Sequence, residues 1–410
     1  MKRNIPLEEA QDILLAMAQP VGESKVPLFE AVGRVLSREV KAPINLPPFD
    51  KSPLDGYAVR AQDTAKAAAE RPAVLEVVEE VPAGYTARQR VTEGTTIKVM
   101  TGTPIPQGAD AVIKYEDVKR TGRICRLFAP LKPGSNIIPA GEDVKKGEKV
   151  AGPGERITPA HVGLIAALGY AEAPVFDKVK IAVISTGDEL VDSTQKLPPG
   201  KIYNSNLPSL VAACVKLGTQ ITALGNVPDR LDTVADLISL GLADADIVIT
   251  TGGVSVGDYD VVPDALARLG VNVLYRGVSM KPGSPVVAGE KDNKFIVCLS
   301  GNPAAALITF ELIAVPLIKK KMGLNSFLPA KTGAVLTDDF AKASPQRRFL
   351  RGRFSVADGK NYVALTGEQS NGVLKSLINC NAYIDVPAGS GRIAAGQDVS
   401  VLIVGDVFGR

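Results

Sequence analysis

The sequence predicts an α/β domain with a doubly wound sheet, joined to smaller β-rich modules. Between residues 177 and 328, short apolar runs alternate with amphipathic segments, which is the pattern of strands and crossover helices in a mostly parallel sheet. Between residues 60 and 140, and again after residue 328, short β-branched runs alternate with Gly, Pro and Asn turns. A chain of 410 residues is long enough for two to four such domains.

The composition excludes several functional classes. Hydrophobic residues make up 45% of the chain and charged residues 22%, as in ordinary globular proteins. The net charge is only +3, from 47 basic and 44 acidic residues, so we expect no nucleic-acid or membrane surface. Acidic residues precede any apolar run at the N-terminus, and the apolar run 304–318 contains Glu311 and Pro316. We therefore expect no signal peptide, no membrane span and a cytoplasmic protein.

The few cysteines and the single histidine disfavour several kinds of metal site and catalytic site. The four cysteines (Cys125, Cys214, Cys298 and Cys380) are far apart and form no CxxC motif. We expect reduced thiols, without a zinc site or disulfides. The single histidine, His161, lies in an apolar run, so a structural role is expected for it and His-based catalytic triads are disfavoured.

The N-terminal part predicts an extended domain with an insertion. Apolar spacing of three and four residues predicts a helix over 5–18, and a second helix is expected over Leu28 to Leu36. The proline-rich passage 42–50 must be extended, because residues before proline avoid the helical region. Thr158 followed by Pro159 predicts the start of another helix.

Within the α/β part, each element has its own signal. The run VKIAVIST from Val179 predicts a buried parallel strand. Residues 206–217 have one apolar face and end before Gly218, which predicts a helix with a C-terminal glycine. A strand is expected over 221–227, and Asp229 is expected to cap the next helix. The remaining predicted elements are strands over 246–250, 273–275, 286–288 and 295–299, then a long helix from Pro303.

These patterns give four domains. We predict an extended N-terminal domain, an inserted β-rich domain, the α/β domain and a C-terminal β barrel or sandwich. The predicted boundaries, in that order, are 1–59 with 141–176, 60–140, 177–328 and 329–410.

Polar and glycine-rich clusters follow four of the predicted α/β strands. They lie at 185–189, 226–229, 250–260 and 298–303. Because parallel strands present their carboxyl ends at one edge of the sheet, we expect these clusters to converge there. Glycine N–H groups and helix starts favour a phosphate, and the nearby carboxylates then require a divalent cation, for which Mg²⁺ is the natural choice. The sequence has neither a Walker A loop nor a GxGxxG dinucleotide motif, which disfavours an ATPase or dehydrogenase.

Taken singly, these motifs have ordinary structural explanations. A glycine-rich turn, a capped helix or a solvated loop lysine such as Lys281 would each account for its own segment. The loops at 47–60, 101–106 and 141–143 read equally well as domain junctions. The arginine-rich run 346–353 is either a solvated strand face or an oxyanion site.

The motifs together resemble the MoeA/gephyrin E-domain family. The match runs over nearly the whole chain, and it is carried by PPFDKSPLDGYAVR (47–60), TGTPIP (101–106), GED (141–143), STGDEL (185–190), TGGVSVGDYD (251–260), KPGSP (281–285) and SGNPAA (300–305). The resemblance implies an α/β domain similar to the MogA/MoaB fold. It also implies a homodimer whose active site lies between the α/β domain of one subunit and the junction loops of the other.

The resemblance further implies a molybdopterin molybdenumtransferase reaction. Adenylylated molybdopterin and molybdate would be the substrates, with Mg²⁺, and molybdenum cofactor and AMP the products. The implied catalytic residues are Asp55, Thr101, Asp143, Glu189, Asp229, Asp260 and Lys281. The implied metal ligands are Glu189, Asp229 and Asp260. The implied substrate contacts are Gly252, Gly253, Ser255, Gly257, Pro303, Arg351 and Ser370.

Three departures and three alternatives accompany this resemblance. Ser300 stands where the family commonly has proline, Ser284 stands where many members have a second lysine, and Ser370 or Asn371 could match the serine of the terminal module. A molybdopterin adenylyltransferase, a non-catalytic pterin-binding scaffold and a tungstate enzyme remain open. The resemblance also allows contact with a MogA-type adenylyltransferase and with acceptor molybdoenzymes.

Overall fold

The computed structural model describes residues 1–254 and 261–405. Within these ranges, the helices in chain order are α1 (Leu7–Met17), α2 (Leu28–Ala31), α3 (Ala61–Thr64), α4 (Pro159–Ala167), α5 (Asn206–Leu217), α6 (Leu231–Asp244), α7 (Val262–Arg268), α8 (Pro303–Thr309) and α9 (Val315–Lys321). A π-helical segment, Phe310–Ala314, joins α8 to α9. No helix in the described ranges is long and apolar enough to cross a membrane.

The strands alternate with these helices in the middle of the chain and follow one another elsewhere. In chain order they are β1 (Lys2–Ile5), β2 (Glu23–Pro27), β3 (Val40–Lys41), β4 (Gly56–Val59), β5 (Ala73–Val81), β6 (Thr95–Val99), β7 (Ala111–Lys114), β8 (Val118–Thr121), β9 (Ile124–Leu127), β10 (Lys149–Ala151), β11 (Glu172–Phe176), β12 (Lys180–Thr186), β13 (Leu190–Val191), β14 (Ile202–Tyr203), β15 (Gln220–Val227), β16 (Ile247–Thr251), β17 (Asn272–Val278), β18 (Val287–Lys291), β19 (Lys294–Leu299), β20 (Ala330–Leu336), β21 (Arg348–Ala357), β22 (Lys360–Leu365), β23 (Ala382–Val386) and β24 (Asp398–Ile403).

The α/β domain is built on a seven-stranded sheet. Its strand order is β1-β17-β18-β19-β16-β12-β15, in which β19, β16, β12 and β15 run parallel and β18 is antiparallel to both neighbours. One face packs against a cluster that includes α1, α5, α8 and α9, and the other face packs against α6 and α7. The predicted doubly wound α/β domain is therefore confirmed, and its four adjacent parallel strands bring their carboxyl ends to one edge.

The first eighteen residues belong physically to this α/β domain. Strand β1 extends the sheet by pairing in parallel with β17, with Lys2 opposite Tyr275. Helix α1 buries Leu7, Ala10 and Leu14 in the same core as α9. Gln11, also buried, donates a 2.6 Å hydrogen bond from Nε2 to the carbonyl oxygen of Leu312 in the π-helical segment. The N-terminal residues thus close one side of the α/β core.

Shortening Leu14 should destabilise the α/β domain. Leu14 is fully buried, and a leucine-to-alanine change at such a site typically costs about 2–5 kcal/mol. We expect Leu14→Ala to lower the free energy of unfolding by about 3 kcal/mol in urea titrations. The matched control is Leu240→Ala on α6, where the leucine is 63% exposed and little change is expected. Equal stability of the two variants would contradict the packing of α1 described above.

The π-helical segment carries an unusual acid, Glu311. Burial raises the pKa of Glu311 from its usual 4.5 to about 7, and the nearby Lys319 and Lys216 only partly oppose that rise. Such segments are rare and occur mostly as single turns inside α-helices. Here the segment lies in the apolar core that α1 and α5 share.

Glu311 should make the stability of the domain depend on pH. Because folded Glu311 holds its proton more tightly than unfolded Glu311, stability falls as pH rises from about 4.5 to about 7 and then levels off. The Glu311→Gln variant should match the wild type below about pH 4 and exceed it at pH 8 by on the order of 3 kcal/mol. Chemical unfolding across this pH range measures the difference. Asp236→Asn, at an exposed acid on α6, is the control, and parallel curves for wild type and Glu311→Gln would refute the prediction.

The first domain is small and assembled from separated segments. Its core contains residues of α2, β3, β10, α4 and β11, and its sheets pair β2 with β11 and β3 with β10. The predicted helix over Leu28 to Leu36 is wrong in length, since α2 ends at Ala31. Gly33 adopts a left-handed conformation with φ 79°, which ends the helical run, and Val35 then bridges to Arg156.

Helix α4 begins as the sequence predicts, and its start explains His161. Thr158 is the N-cap and Pro159 follows at the first helical position. The His161 backbone N–H donates to Thr158 Oγ1 at 3.4 Å, and the Thr158 N–H donates to His161 Nδ1 at 3.3 Å. This reciprocal capping box satisfies two N–H groups at the helix start. The role of His161 is therefore structural.

The inserted domain and the terminal domain are both β structures. The inserted domain is a six-stranded sheet of order β7-β4-β6-β5-β9-β8. Strand β4 (Gly56–Val59) lies inside this sheet, so the sheet begins before residue 60. The terminal domain is a closed barrel of order β20-β22-β21-β23-β24, which confirms the predicted barrel. The four cysteines are free thiols; Cys125, Cys214 and Cys298 are buried and Cys380 is partly buried.

Candidate active site

A cavity of about 350 Å³ lies at the carboxyl edge of the parallel strands. We call it the acidic cavity because Glu189 and Asp229 line it. Its walls come from the segments that follow β12, β15, β16 and β19, and its lining includes Thr186, Glu189, Asp229, Thr251, Gly252, Gly253, Gly301, Asn302 and Pro303. The four predicted clusters therefore converge, as the parallel order of their strands requires.

The glycine-rich turn after β16 fits closely against the end of β12. Gly252 and Gly253 have φ values of 96° and 62°, a region that favours glycine. A Cβ atom at Gly252 would overlap the carbonyl oxygen of Thr186. The Gly252 N–H donates to the Leu299 carbonyl oxygen at 3.1 Å, which links the turn to β19. Because these glycines have no Cβ atom, the ends of β12, β16 and β19 can pack closely and form the floor of the acidic cavity.

Asp229 lines the acidic cavity and does not cap a helix. The N-cap of α6 is Arg230, and no side-chain hydrogen bond caps that helix. In the described ranges Asp229 Oδ1 is buried without a hydrogen-bond partner, as is the neighbouring Thr186 Oγ1. Burial raises the pKa of Asp229, the nearby Thr186 hydroxyl partly opposes that rise, and the charges of Glu189 and Asp188 add to it. An unpartnered carboxylate oxygen beside a second acid is an arrangement that a cation would stabilise.

Sequence reasoning missed the asparagines on the opposite wall. Asn204 and Asn206 line the acidic cavity between β14 and α5. Asn206 Nδ2 donates at 2.8 Å to Thr251 Oγ1 and to the Gly301 carbonyl oxygen, so it ties two strand ends together. Asn204 Oδ1 accepts from the Leu207 N–H at 3.1 Å. The polar run Asn-Ser-Asn between a short strand and a helix was the available signal.

A second cavity of about 460 Å³ lies between the α/β domain and the barrel, and Asn302 lines both cavities. We call it the basic cavity because its charged lining residues are Lys281, Lys342 and Arg348. Gln369, Ser370 and Asn371 form another wall. The predicted residues Lys281 and Ser370 thus meet here, together with Asn371, the other match for the family serine. Lys342 and Arg348 had not been singled out.

Arg351 lies beneath the loop that forms this wall. It is fully buried, and its Nη2 donates to the carbonyl oxygens of Glu368 at 2.9 Å and Ser370 at 3.2 Å. Its backbone N–H donates to Gln369 Oε1 at 2.8 Å. In the described ranges, Arg351 Nε and Nη1 have no hydrogen-bond partner. Burial lowers the pKa of this guanidinium, so the group would gain from a nearby anion.

The junction loops form a separate cluster. Thr101 donates to Asp55 Oδ1 from its backbone N–H at 2.8 Å and from its hydroxyl at 2.9 Å. These bonds lower the pKa of Asp55, the backbone bond most. Asp143 lies on the adjoining loop, where its N–H donates to the Leu46 carbonyl oxygen at 3.0 Å. Asp55, Thr101 and Asp143 are exposed, and none of them lines either cavity of the same chain.

Three predicted site residues, Ser255, Gly257 and Asp260, lie outside the described residues. Of the three predicted metal ligands, Glu189 and Asp229 therefore lie within the described residues. Among residues 1–254 and 261–405, no group of three or more His, Cys, Asp or Glu side chains could hold a metal ion.

Family models match most of the chain. Residues 5–169 match the MoeA N-terminal region (domain I and II), and residues 182–320 match a model described as a probable molybdopterin binding domain. Residues 333–404 match the MoeA C-terminal region (domain IV).

Whole-chain relatives agree with these models. The chain is 36% identical to the molybdopterin molybdenumtransferase of Bacillus subtilis (strain 168), over 98% of this chain and 94% of the relative. It is 34% identical to the protein of the same name from Staphylococcus aureus (strain Mu50 / ATCC 700699), over 98% and 96%. It also resembles the crystal structure of the molybdopterin biosynthesis moeA protein from Pyrococcus horikoshii OT3, with a TM-score of 0.83, 34% identity and coverage of 98% and 100%.

Proposed function

Because the chain belongs to the MoeA family of molybdopterin molybdenumtransferases, which serve molybdenum cofactor biosynthesis, we propose that it inserts molybdate into adenylylated molybdopterin and releases AMP. Molybdopterin and molybdate are its substrates, and it is a transferase. The adenylylated form of the pterin, the release of AMP and the residue roles below are the proposal.

One observation supports this function most strongly. An acidic cavity and a basic cavity lie side by side and share Asn302. A substrate with a cation-bound phosphate at one end and a reacting oxyanion at the other needs opposite charges within one molecule's reach. The adjoining cavities supply that arrangement on rigid strand ends. A protein that binds only a phosphate would need only one of these two cavities.

The acidic cavity fits Mg²⁺. Its donors are carboxylate oxygens, the ligand type that Mg²⁺ prefers, and Asp229 Oδ1 is buried without a partner in the described ranges. Glu189 and Asp229 would hold the ion, with Asp260 as the third predicted ligand. When bound, Mg²⁺ neutralises phosphate charge and so favours departure of AMP.

The protein's own groups would align the substrate. Gly252 and Gly253 let the chain approach the phosphates closely, and Pro303 starts helix α8 at the same edge. Lys281 would attract the oxyanion, and Arg351, buried beneath the loop that forms the cavity wall, would add positive charge there and hold that loop in place. Ser370 would add a hydroxyl. Phosphoanhydride cleavage of this kind depends on charge neutralisation and alignment more than on a covalent nucleophile.

We also propose that the active site is completed by a second copy of the chain. Asp55 and Thr101 are hydrogen-bonded to each other, Asp143 lies on another junction loop, and none of the three lines a cavity of its own chain. On the first domain, Phe29 of α2 is 97% exposed and Val32 is 53% exposed, an apolar surface that a partner would cover. A homodimer would bring the junction loops of one subunit to the cavities of the other.

Two neighbouring functions are less well supported. A molybdopterin adenylyltransferase would have no use for the basic cavity or for the junction loops. A pterin-binding scaffold would not need Glu189 and Asp229 in one cavity, because two neighbouring acids repel each other unless a cation is bound. A cytoplasmic location remains part of the proposal, since free thiols persist in reducing compartments. Contact with an adenylyltransferase or with acceptor molybdoenzymes likewise remains a proposal.

A single-turnover assay tests the proposal. Purified protein is mixed with adenylylated molybdopterin, Mg²⁺ and molybdate, and both AMP release and reconstitution of a cofactor-free molybdoenzyme are followed. AMP release that depends on molybdate and yields active cofactor is the expected result. Repeating the assay with tungstate decides whether that oxyanion also serves. Pterin binding without AMP release, under every metal condition, would refute the transferase reaction.

A further inference from the structure

We infer that Arg348 and Lys342 of the barrel are oxyanion-binding residues, which form a three-cation site together with Lys281 of the α/β domain. This inference rests on the proposed function, since it assigns the basic cavity to the small dianionic substrate. The ligand class is a tetrahedral dianion of the molybdate or tungstate type.

All of the charged side chains that line the basic cavity are positive. Lys281, Lys342 and Arg348 line it, and no carboxylate among the described residues does. The only acid paired with these three cations in the described ranges is Glu368, whose Oε1 lies 3.5 Å from Lys342 Nζ. Both partners of that pair are exposed, so the pairing is weak. Three cations around an enclosed space repel one another unless an anion is bound.

Lys281 and Arg348 are held side by side by their backbones. The Lys281 N–H donates to the Arg347 carbonyl oxygen at 2.8 Å, and the Phe349 N–H donates to the Lys281 carbonyl oxygen at 2.8 Å. This parallel bridge joins the loop 281–285 to the start of β21. The two positive side chains are therefore fixed in one register across the domain boundary. Preorganised donors of this kind bind an anion without a large ordering cost.

Arg348 differs from the other arginines of the run 346–353. Arg347 pairs with Asp385 and Glu8, at 2.8 Å and 2.7 Å. Arg351 is fully buried, and Arg353 does not line the cavity. Arg348 lines the cavity, its guanidinium lies 5.5 Å from the Phe340 ring centre, and its Nε is buried without a hydrogen-bond partner in the described ranges.

Many family members have a second lysine at the position of Ser284 in loop 281–285. In this chain the barrel supplies the further positive charges, through Arg348 and Lys342. Ser284 does not line the basic cavity, and its carbonyl oxygen accepts from the Val278 N–H at 3.0 Å. An arginine in place of a lysine also offers a planar fork that matches two oxygens of a tetrahedral anion. Arg348 should therefore contribute more to binding than the exposed Lys342.

Equilibrium dialysis of purified protein against molybdate, without pterin, tests this inference. We expect Arg348→Gln to raise the Kd for molybdate about 10- to 100-fold, as for loss of a charge-assisted hydrogen bond, and Lys342→Gln about 2- to 5-fold. Arg353→Gln is the matched control: it removes an exposed arginine from the same strand, and its Kd should stay within about twofold of wild type. Thermal unfolding confirms that each variant is folded.

The outcomes separate this inference from the proposed function. If Arg348→Gln binds molybdate as well as Arg353→Gln does, the assignment of Arg348 is overturned even when wild type releases AMP. If Arg348→Gln does not fold, the exposed Lys342→Gln provides the test, and an unchanged Kd overturns the three-cation site. Loss of binding in Arg348→Gln supports the site whether or not wild type releases AMP, because dialysis does not depend on turnover.

Discussion

The Asp229→Asn variant is expected to fold normally and to release AMP at least 100-fold more slowly than the wild type. The change removes one carboxylate charge from the acidic cavity and leaves its volume almost unaltered. Loss of a single preorganised electrostatic contact at a reacting centre typically costs on the order of 100- to 1,000-fold in kcat. Glu189 would remain, so the Mg²⁺ concentration needed for half-maximal rate should also rise.

The same substitution should leave stability equal or improved. Burial and the neighbouring Glu189 and Asp188 raise the pKa of Asp229, so its ionised form is held at a cost in the folded chain. Asparagine has no charge to bury. A variant that is inactive yet at least as stable indicates a residue kept for function.

Single-turnover AMP release and thermal unfolding at pH 8 measure both effects. Asp232→Asn is the control, because Asp232 is an exposed acid on α6 only three residues away. Activity of Asp229→Asn within twofold of Asp232→Asn would remove Asp229 from the mechanism. A large loss of stability would instead mean that the acid has a structural partner.

Much of the α/β domain could be predicted because its signals are local. Helix α5 spans Asn206–Leu217 as expected, since one apolar face and a following glycine define both its length and its end. Strand β12 follows from an apolar run, and the convergence of the polar clusters follows from parallel order alone. These predictions needed no knowledge of distant contacts.

Other features depend on contacts that are distant in sequence. Strand β1 pairs with β17 about 270 residues away, and its sequence Lys-Arg-Asn-Ile has no strand signal. Helix α2 stops early because Gly33 turns the chain toward Arg156. For β1 the distant partner decides the structure, whereas Gly33 is a local signal that the predicted helix over Leu28 to Leu36 did not take into account.

The residues of the candidate site also differ in whether local sequence or distant contacts determine their position. Glu189 and Asp229 were predictable as acids that follow strands, whereas Asn206 lines the cavity because it bridges Thr251 and Gly301 from another element. Arg348 was predictable only as one of four arginines. Which of the four lines the cavity depends on the barrel register and on the bridge to Lys281.

Co-expressed Asp55→Asn and Glu189→Gln chains are expected to recover activity that neither chain has alone. If the junction loops of one subunit complete the cavities of the other, a hybrid dimer contains one intact site and one doubly defective site. Random pairing makes about half of the dimers hybrids, so about one quarter of wild-type activity should return. If each active site lies within one chain, every site carries a defect and no activity returns.

A control co-expression places both substitutions in the same chain and tests whether the recovered activity comes from a shared site. Chains that carry both substitutions are co-expressed with wild type, which places the two defects in the same chain. A shared site then leaves activity only in wild-type homodimers, about one quarter of the total, whereas a site within one chain leaves about one half. Tagging the two chains differently and purifying through both tags isolates the hybrids. Inactive hybrids of Asp55→Asn with Glu189→Gln would show that the junction loops do not complete a partner's active site, since a shared site requires half of the sites in those hybrids to be intact.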